Sequence, residues 1–271
     1  MTSRDIGLAV KQLKNRSIFL VLGAFFVLWV VPVWSCLAQP IYHETHYPDG
    51  DGPFPAVIAL HTSGGFKTVK HLIQRYVDDG FVVYAPDFFT RHGLGPNNRM
   101  ETFSTYRQAI ETELDEIVER AKADPKVQKQ NVFAVGFSNG GFWATYLAGR
   151  QRVRAAASHY GVWKGKKGKL DWDKQPYPKA YISGSSHPIL ALHGRDDDTQ
   201  KLKFAEDAWR KIKRVNKRFE THIYDGAGHA WDRQGHRKYV YNAAVDKDSH
   251  KRTIEFFRRF IDKPAPTGNW N

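Results

Sequence analysis

Four short stretches of this chain, PAVIALH (55–61), FVVYAP (81–86), NVFAVGF (131–137) and PILALHG (188–194), are almost unbroken in apolar character. A strand with one wet face alternates polar and apolar residues, so runs like these predict strands buried on both faces. Between them lie stretches with helical periodicity: roughly 68–79, METFSTYRQAIETELDEIVERAKAD ended by Asp124 and Pro125, a helix from Asn139, DTQKLKFAEDAWRKIKRVN, and roughly 246–262. RAAASHY (154–160) and FETHIYDG (219–226) add two more strands. Repeated strand–helix–strand units predict an α/β domain, a mostly parallel sheet with helices on both faces. With 271 residues, 41% of them apolar, and no internal repeat or linker, one such domain over 40–264 is expected. A flexible tail is expected over 265–271. HETH (43–46) lacks the H-E-x-x-H spacing of a zinc site, and its alternation suits a strand.

Residues 1–38 stand apart from that domain. Arg4, Lys11, Lys14 and Arg16 precede the uncharged run SIFLVLGAFFVLWVVPVW, and the small residues of SCLAQP follow. This is the layout of a signal peptide cut after Ala38, and the run is also long enough for an uncleaved membrane anchor. Either way the chain is expected to be exported, periplasmic or secreted, with membrane association if the leader stays. The single cysteine, Cys36, lies in this segment, so cleavage leaves no disulfide, thiolate metal site or cysteine nucleophile.

The net charge is +13, of which the leader carries +3 (four basic residues against Asp5), leaving +10 for the rest. Its densest stretches are KGKKGK (164–169), read as a surface loop, and RKIKRVNKR (210–218), read as the exposed face of a helix. No nucleic-acid-binding signature accompanies them, so no nucleic-acid partner is expected.

The ends of three strands carry the chemistry. The strand ending at Gly136 runs into Ser138 and Gly140, PILALHG runs into RDDDT, and FETHIYDG runs into AGHAWDR with His229. In parallel sheets ligands sit beyond the carboxyl ends of the strands. A serine hydroxyl becomes a nucleophile when an imidazole takes its proton, and that imidazole needs a carboxylate on its other nitrogen. Glycines flanking Ser138 allow the sharp turn, and the backbone N–H of Asn139 then points toward a developing oxyanion. The residues alone leave Asp196, Asp197 and Asp198 open as the carboxylate, or as helix caps. Serine, aspartate, histidine is the chain order of the α/β-hydrolase triad.

Taken together, these motifs resemble the dienelactone hydrolase family of α/β hydrolases over nearly all of 53–262. HYGVW (159–163) matches the end of a family strand, LHGRDDDT its H-G-x-x-D pattern, and GAGHAWDR its G-A-G-H-x-F-x-R segment. The resemblance selects Asp197, implies Ser63 in HTSGGF as the second oxyanion donor beside Asn139, and matches Arg91 and Arg233 to arginines that hold a substrate carboxylate. Either arginine could instead be a structural ion pair, with Asp87 or Asp232 nearby in sequence. Two departures stand out. The family's dienelactone-opening enzymes have cysteine where this chain has Ser138, and a glutamate that regulates it where this chain has Thr62.

The expectation is therefore an exported serine hydrolase acting on a small-molecule ester or lactone, with no metal or cofactor. The stretch after HYGVW is too short for a large lid, and Trp163, Trp172, Tyr177 and Tyr181 are candidates for a pocket wall or a packed surface loop. A peptidase of prolyl-oligopeptidase type, a non-catalytic envelope binding protein and a protein driven to DNA or membranes by its basic charge are the alternatives.

Overall fold

A computed structural model of the chain describes residues 40–163 and 178–262. The leader 1–38, the tail 265–271, the KGKKGK stretch, Trp172 and Tyr177 lie outside the described residues. Seven strands form one sheet: β1 (His43–His46), β2 (Phe54–Leu60), β3 (Val82–Pro86), β4 (Val127–Phe137), β5 (Ala156–His159), β6 (Ile189–Gly194) and β7 (Phe219–Tyr224). Their order is β1-β3-β2-β4-β5-β6-β7. All neighbours are parallel except the edge pair β1–β3.

The apolar runs divide their side chains between two layers. Ala56, Ile58 and Leu60 of β2 face α2 (Arg107–Ala123), α3 (Asn139–Gly149) and α5 (Leu202–Val215). Val57 and Ala59 face α1 (Lys70–Asp78) and α6 (Ala243–Arg259). A short α4 (Pro178–Tyr181) precedes β6. No large lid is evident among the described residues. Trp163 and Tyr181 are buried in the core: Trp163 sits edge-on to Trp209 and Phe219, and Tyr181 packs on Phe142 and Tyr146. The basic residues Arg210, Lys211, Lys213 and Arg214 are exposed on α5.

Two helices start later than their periodicity predicts, each because the preceding residues are engaged in tertiary bonds. Arg99–Phe103 forms a 3-10 turn rather than the first turns of α2. There Thr102 accepts a hydrogen bond from the Trp143 indole at 3.1 Å, and the Phe103 ring stands 4.6 Å from that of Phe142. Likewise α5 begins at Leu202, since the amides of Thr199 and Gln200 are bound to Asp197.

Chain order reverses direction across the sheet at β2, so the crevice between the ends of β2 and β4 is its switch point. α3 crosses this point almost in backbone contact with the strands. A Cβ on Gly140 would stand 2.2 Å from the Leu60 carbonyl oxygen, and one on Gly136 2.0 Å from that of Gly140. All residues of α3 are buried. Gly140→Ala must push α3 off β2, an overpacking cost of about 1–3 kcal/mol or more. Thermal unfolding followed by circular dichroism is expected to give a Tm lower by roughly 4–10 °C; an unchanged Tm would contradict this close seating.

Candidate active site

Ser138 occupies the turn between β4 and α3 with φ 53° and ψ −108°. Positive φ is unfavourable for a side chain with a Cβ, costing on the order of 1–3 kcal/mol unless its surroundings hold it. They do: the Ser138 N–H donates to the His159 carbonyl (3.0 Å), and its own carbonyl accepts from Gly141 N–H (3.0 Å). The turn lifts the hydroxyl toward the loop after β7. That loop is pinned onto the loop after β6, where Arg195 N–H donates to the Tyr224 carbonyl (2.9 Å) and Asp196 N–H to the Ala227 carbonyl (3.0 Å).

The two loops bring Asp197 and His229 together below Ser138. His229 Nε2 lies 2.9 Å from Ser138 Oγ, and Nδ1 lies 2.7 Å from Asp197 Oδ2. The three residues are 8%, 4% and 3% exposed (Ser138, His229 and Asp197), so water competes little for these bonds. With Nδ1–H donating to the carboxylate, Nε2 presents a lone pair to the serine hydroxyl. Asp197 is fixed from its other oxygen, Oδ1, which accepts from Thr199 N–H (2.9 Å) and Gln200 N–H (2.7 Å). Neither Asp196 nor Asp198 forms a hydrogen bond or ion pair with His229. His193, buried beneath this loop, donates from Nε2 to the Gln200 carbonyl (2.6 Å), and burial lowers its pKa.

Two backbone amides near Ser138 have no hydrogen-bond partner among the described residues, those of Ser63 and Asn139. The loop bearing Ser63 is tied to the serine turn by the Gly140 N–H bond to the His61 carbonyl, 3.1 Å. The two arginines differ. Arg91 pairs with Glu113 of α2 (3.2 Å), which also holds His92. Arg233 is half-buried and has no side-chain partner among the described residues; its Nη1 lies 3.6 Å from where a Gly64 Cβ would stand.

Neither arginine pairs with the aspartate near it in sequence. Asp87 accepts from the amides of Phe89 and Thr90 and from the Thr90 hydroxyl. Burial opposes its charge, but these bonds and His61 hold it well below the usual carboxylate range. Asp232 accepts from the Tyr160 hydroxyl and lies 3.3 Å from His71 Nε2. Tyr160 and Tyr239 flank the His229 ring, at centroid distances of 4.9 and 5.2 Å. Neither tyrosine is singled out for this position by the sequence; the one available signal is that Tyr160 falls inside HYGVW.

The model of the Dienelactone hydrolase family matches residues 44–261. A candidate carboxymethylenebutenolidase of Escherichia coli (strain K12) is 26% identical over 238 residues, covering 84% of each chain. The carboxymethylenebutenolidase of Rhodococcus opacus is 27% identical over 229 residues, covering 78% of this chain and 88% of its own. Among solved structures, a candidate dienelactone hydrolase from Klebsiella pneumoniae superposes with a TM-score of 0.69 at 22% identity. That superposition covers 81% of this chain and 93% of the other, and supports the fold.

Burial works to raise the Asp232 pKa, but bonds from His71 and Tyr160 outweigh it and lower the value. A carboxylate depressed in the folded state stabilises the fold fully above its unfolded pKa, near 4, and loses that contribution as pH falls through the folded value. Asp232→Asn is therefore expected to cost about 1–3 kcal/mol at pH 7. Urea unfolding should find the gap from the parent chain narrowing as pH drops below about 4; a gap independent of pH would show that the charge contributes nothing.

Proposed function

The chain belongs to the dienelactone hydrolase family, and from that premise we propose that it is an exported serine hydrolase cleaving a carboxylic ester or lactone through an acyl-enzyme. The observation carrying this reading is the hydrogen-bonded chain from Ser138 Oγ through His229 to Asp197. Ser138 Oγ attacks the substrate carbonyl as His229 Nε2 takes its proton. Asp197 holds His229 in the required tautomer and offsets the imidazolium charge. The N–H groups of Ser63 and Asn139 receive the negative charge that develops on the carbonyl oxygen, and losing one such donor costs roughly 100- to 1000-fold in rate. His229 then returns the proton to the leaving alcohol, and water, activated the same way, releases the acid.

The identity of residue 138 supports a serine nucleophile, and the leader-like 1–38 segment supports export. The Rhodococcus relative is named for a butenolide, an unsaturated lactone, which supports the substrate class. Arg233, with its guanidinium unspent, is the better placed of the two arginines to hold a substrate carboxylate; Arg91 would first have to leave Glu113.

Intact mass after treating the full chain with a fluorophosphonate is expected to show one adduct, absent in Ser138→Ala. No adduct on folded protein would overturn the reading. Asp197→Asn should lower kcat by roughly 1000- to 10,000-fold by leaving His229 in the wrong tautomer. Arg233→Met should raise KM for a carboxylate-bearing ester by roughly 10- to 100-fold, and change a neutral ester far less. Equal effects on both esters would remove Arg233 from substrate binding.

A further inference from the structure

We propose that the hydroxyls of Thr62 and Thr68 form a positioning pair that holds the Ser63 N–H in place for the oxyanion, an inference that rests on the serine-hydrolase reading above. Thr62 follows β2, and Thr68 ends the 3-10 turn Phe66–Thr68. Both are buried, at 6% and 2% exposure. A buried hydroxyl is costly unless bonded, and these two satisfy each other and the loop between them. Thr62 Oγ1 donates to Thr68 Oγ1 (3.0 Å) and accepts the Gly64 N–H (3.0 Å). Thr68 Oγ1 accepts the Thr62 N–H (3.1 Å) and donates to the Gly65 carbonyl (2.8 Å). The Gly65 N–H goes to the Thr62 carbonyl (3.0 Å), which also accepts from His61 Nδ1 (2.7 Å).

The consequence lies in what this network leaves over. Of the four consecutive amides 62–65, three are bound within the loop, and Ser63 alone has no partner among the described residues. Over 62–65 the loop thus spends every backbone N–H but that of Ser63. An oxyanion donor acts through its fixed direction, since a group that must reorient during the reaction gives back much of its benefit. The glycines fit the same purpose. Gly65, at φ 81°, takes a conformation other residues avoid, and a Cβ on Gly64 would stand 2.7 Å from Thr68 Cγ2.

Thr68→Val keeps the shape and deletes the hydroxyl. It is expected to lower kcat on p-nitrophenyl acetate by roughly 10- to 100-fold, as for a small misplacement of a reacting group. KM should stay within about threefold, because the hole acts on the transition state more than on the bound ester. Affinity for an alkyl boronic acid should fall with kcat, and Thr68→Ser, which retains the hydroxyl, should restore both.

Gly64→Ala approaches the same loop while leaving both hydroxyls in place, its Cβ standing in ordinary contact, 3.4 Å, from Thr62 Oγ1, and guards against a misfolded Thr68→Val. It should lower kcat by forcing the added methyl against Thr68 Cγ2. Adding Thr68→Ser removes the methyl it meets and should recover kcat; adding Thr68→Ala relieves the clash equally but should not. Folded Thr68→Val with kcat within twofold of the parent, or equal recovery by both double variants, would overturn the pairing while the fluorophosphonate adduct at Ser138 still formed. Absence of that adduct in the parent chain would instead remove the serine-hydrolase reading, and this inference with it.

Discussion

The contact of α3 with the backbones of β2 and β4 at Gly140 and Gly136 is the constraint from which the rest of the site is placed. Neither position leaves room for a Cβ, so the helix lies closer to the strands than side-chain packing allows. With no slack between β4 and α3, the chain must turn within one residue, and that residue is Ser138 at positive φ. The same closeness lets Gly140 donate to the His61 carbonyl, which ties the serine turn to the loop carrying Ser63. One backbone contact therefore sets both the serine and the loop beside it. The burial of α3 on all sides supplies the packing that holds a strained residue at its centre.

Around this contact, the polar groups divide into those already spent and those left free. Asp197 uses one oxygen on two loop amides and the other on His229, so its carboxylate cannot swing away without losing bonds on both sides. Asp232 and Asp87 are likewise consumed, by Tyr160 and His71 in the first case and by Thr90 and its neighbours in the second. Glu113 takes Arg91 and His92. Among the described residues, two backbone N–H groups near Ser138 and the Arg233 guanidinium remain as unspent donors, beside one buried acceptor without a partner, Asn139 Oδ1. Donors left free beside carboxylates already bonded suit this place to negative charge.

Much of this was legible in the sequence because it depends on local pattern. The apolar runs mark buried strands whichever helices cover them, and Ser138, Asp197 and His229 sit in short motifs at strand ends. Asp197 could not be told from Asp196 and Asp198 by residue type; the amides of Thr199 and Gln200 and the crossing of two loops decide it. Partners distant along the chain were not legible. Proximity in sequence points Arg91 toward Asp87 and Arg233 toward Asp232, whereas Arg91 reaches Glu113 and Asp232 binds Tyr160 and His71, 72 and 161 residues away. The start of α2 was obscured for the same reason, since periodicity over 100–106 says nothing of the Trp143 indole that captures Thr102.

The exchange of residue types at 62 and 138 has a common electrostatic logic. The resemblance places a glutamate at position 62 beside a cysteine, an arrangement in which a carboxylate can govern a thiol. A serine has no accessible anionic form at neutral pH, so a carboxylate there has nothing to govern. It would instead stand where the buried Thr62 hydroxyl meets Thr68 and the Gly64 amide, and a buried charge with no cation to pair with is costly. A neutral threonine avoids that cost, and its hydroxyl accepts the Gly64 amide that a side-chain oxygen must take if the loop is to stay closed.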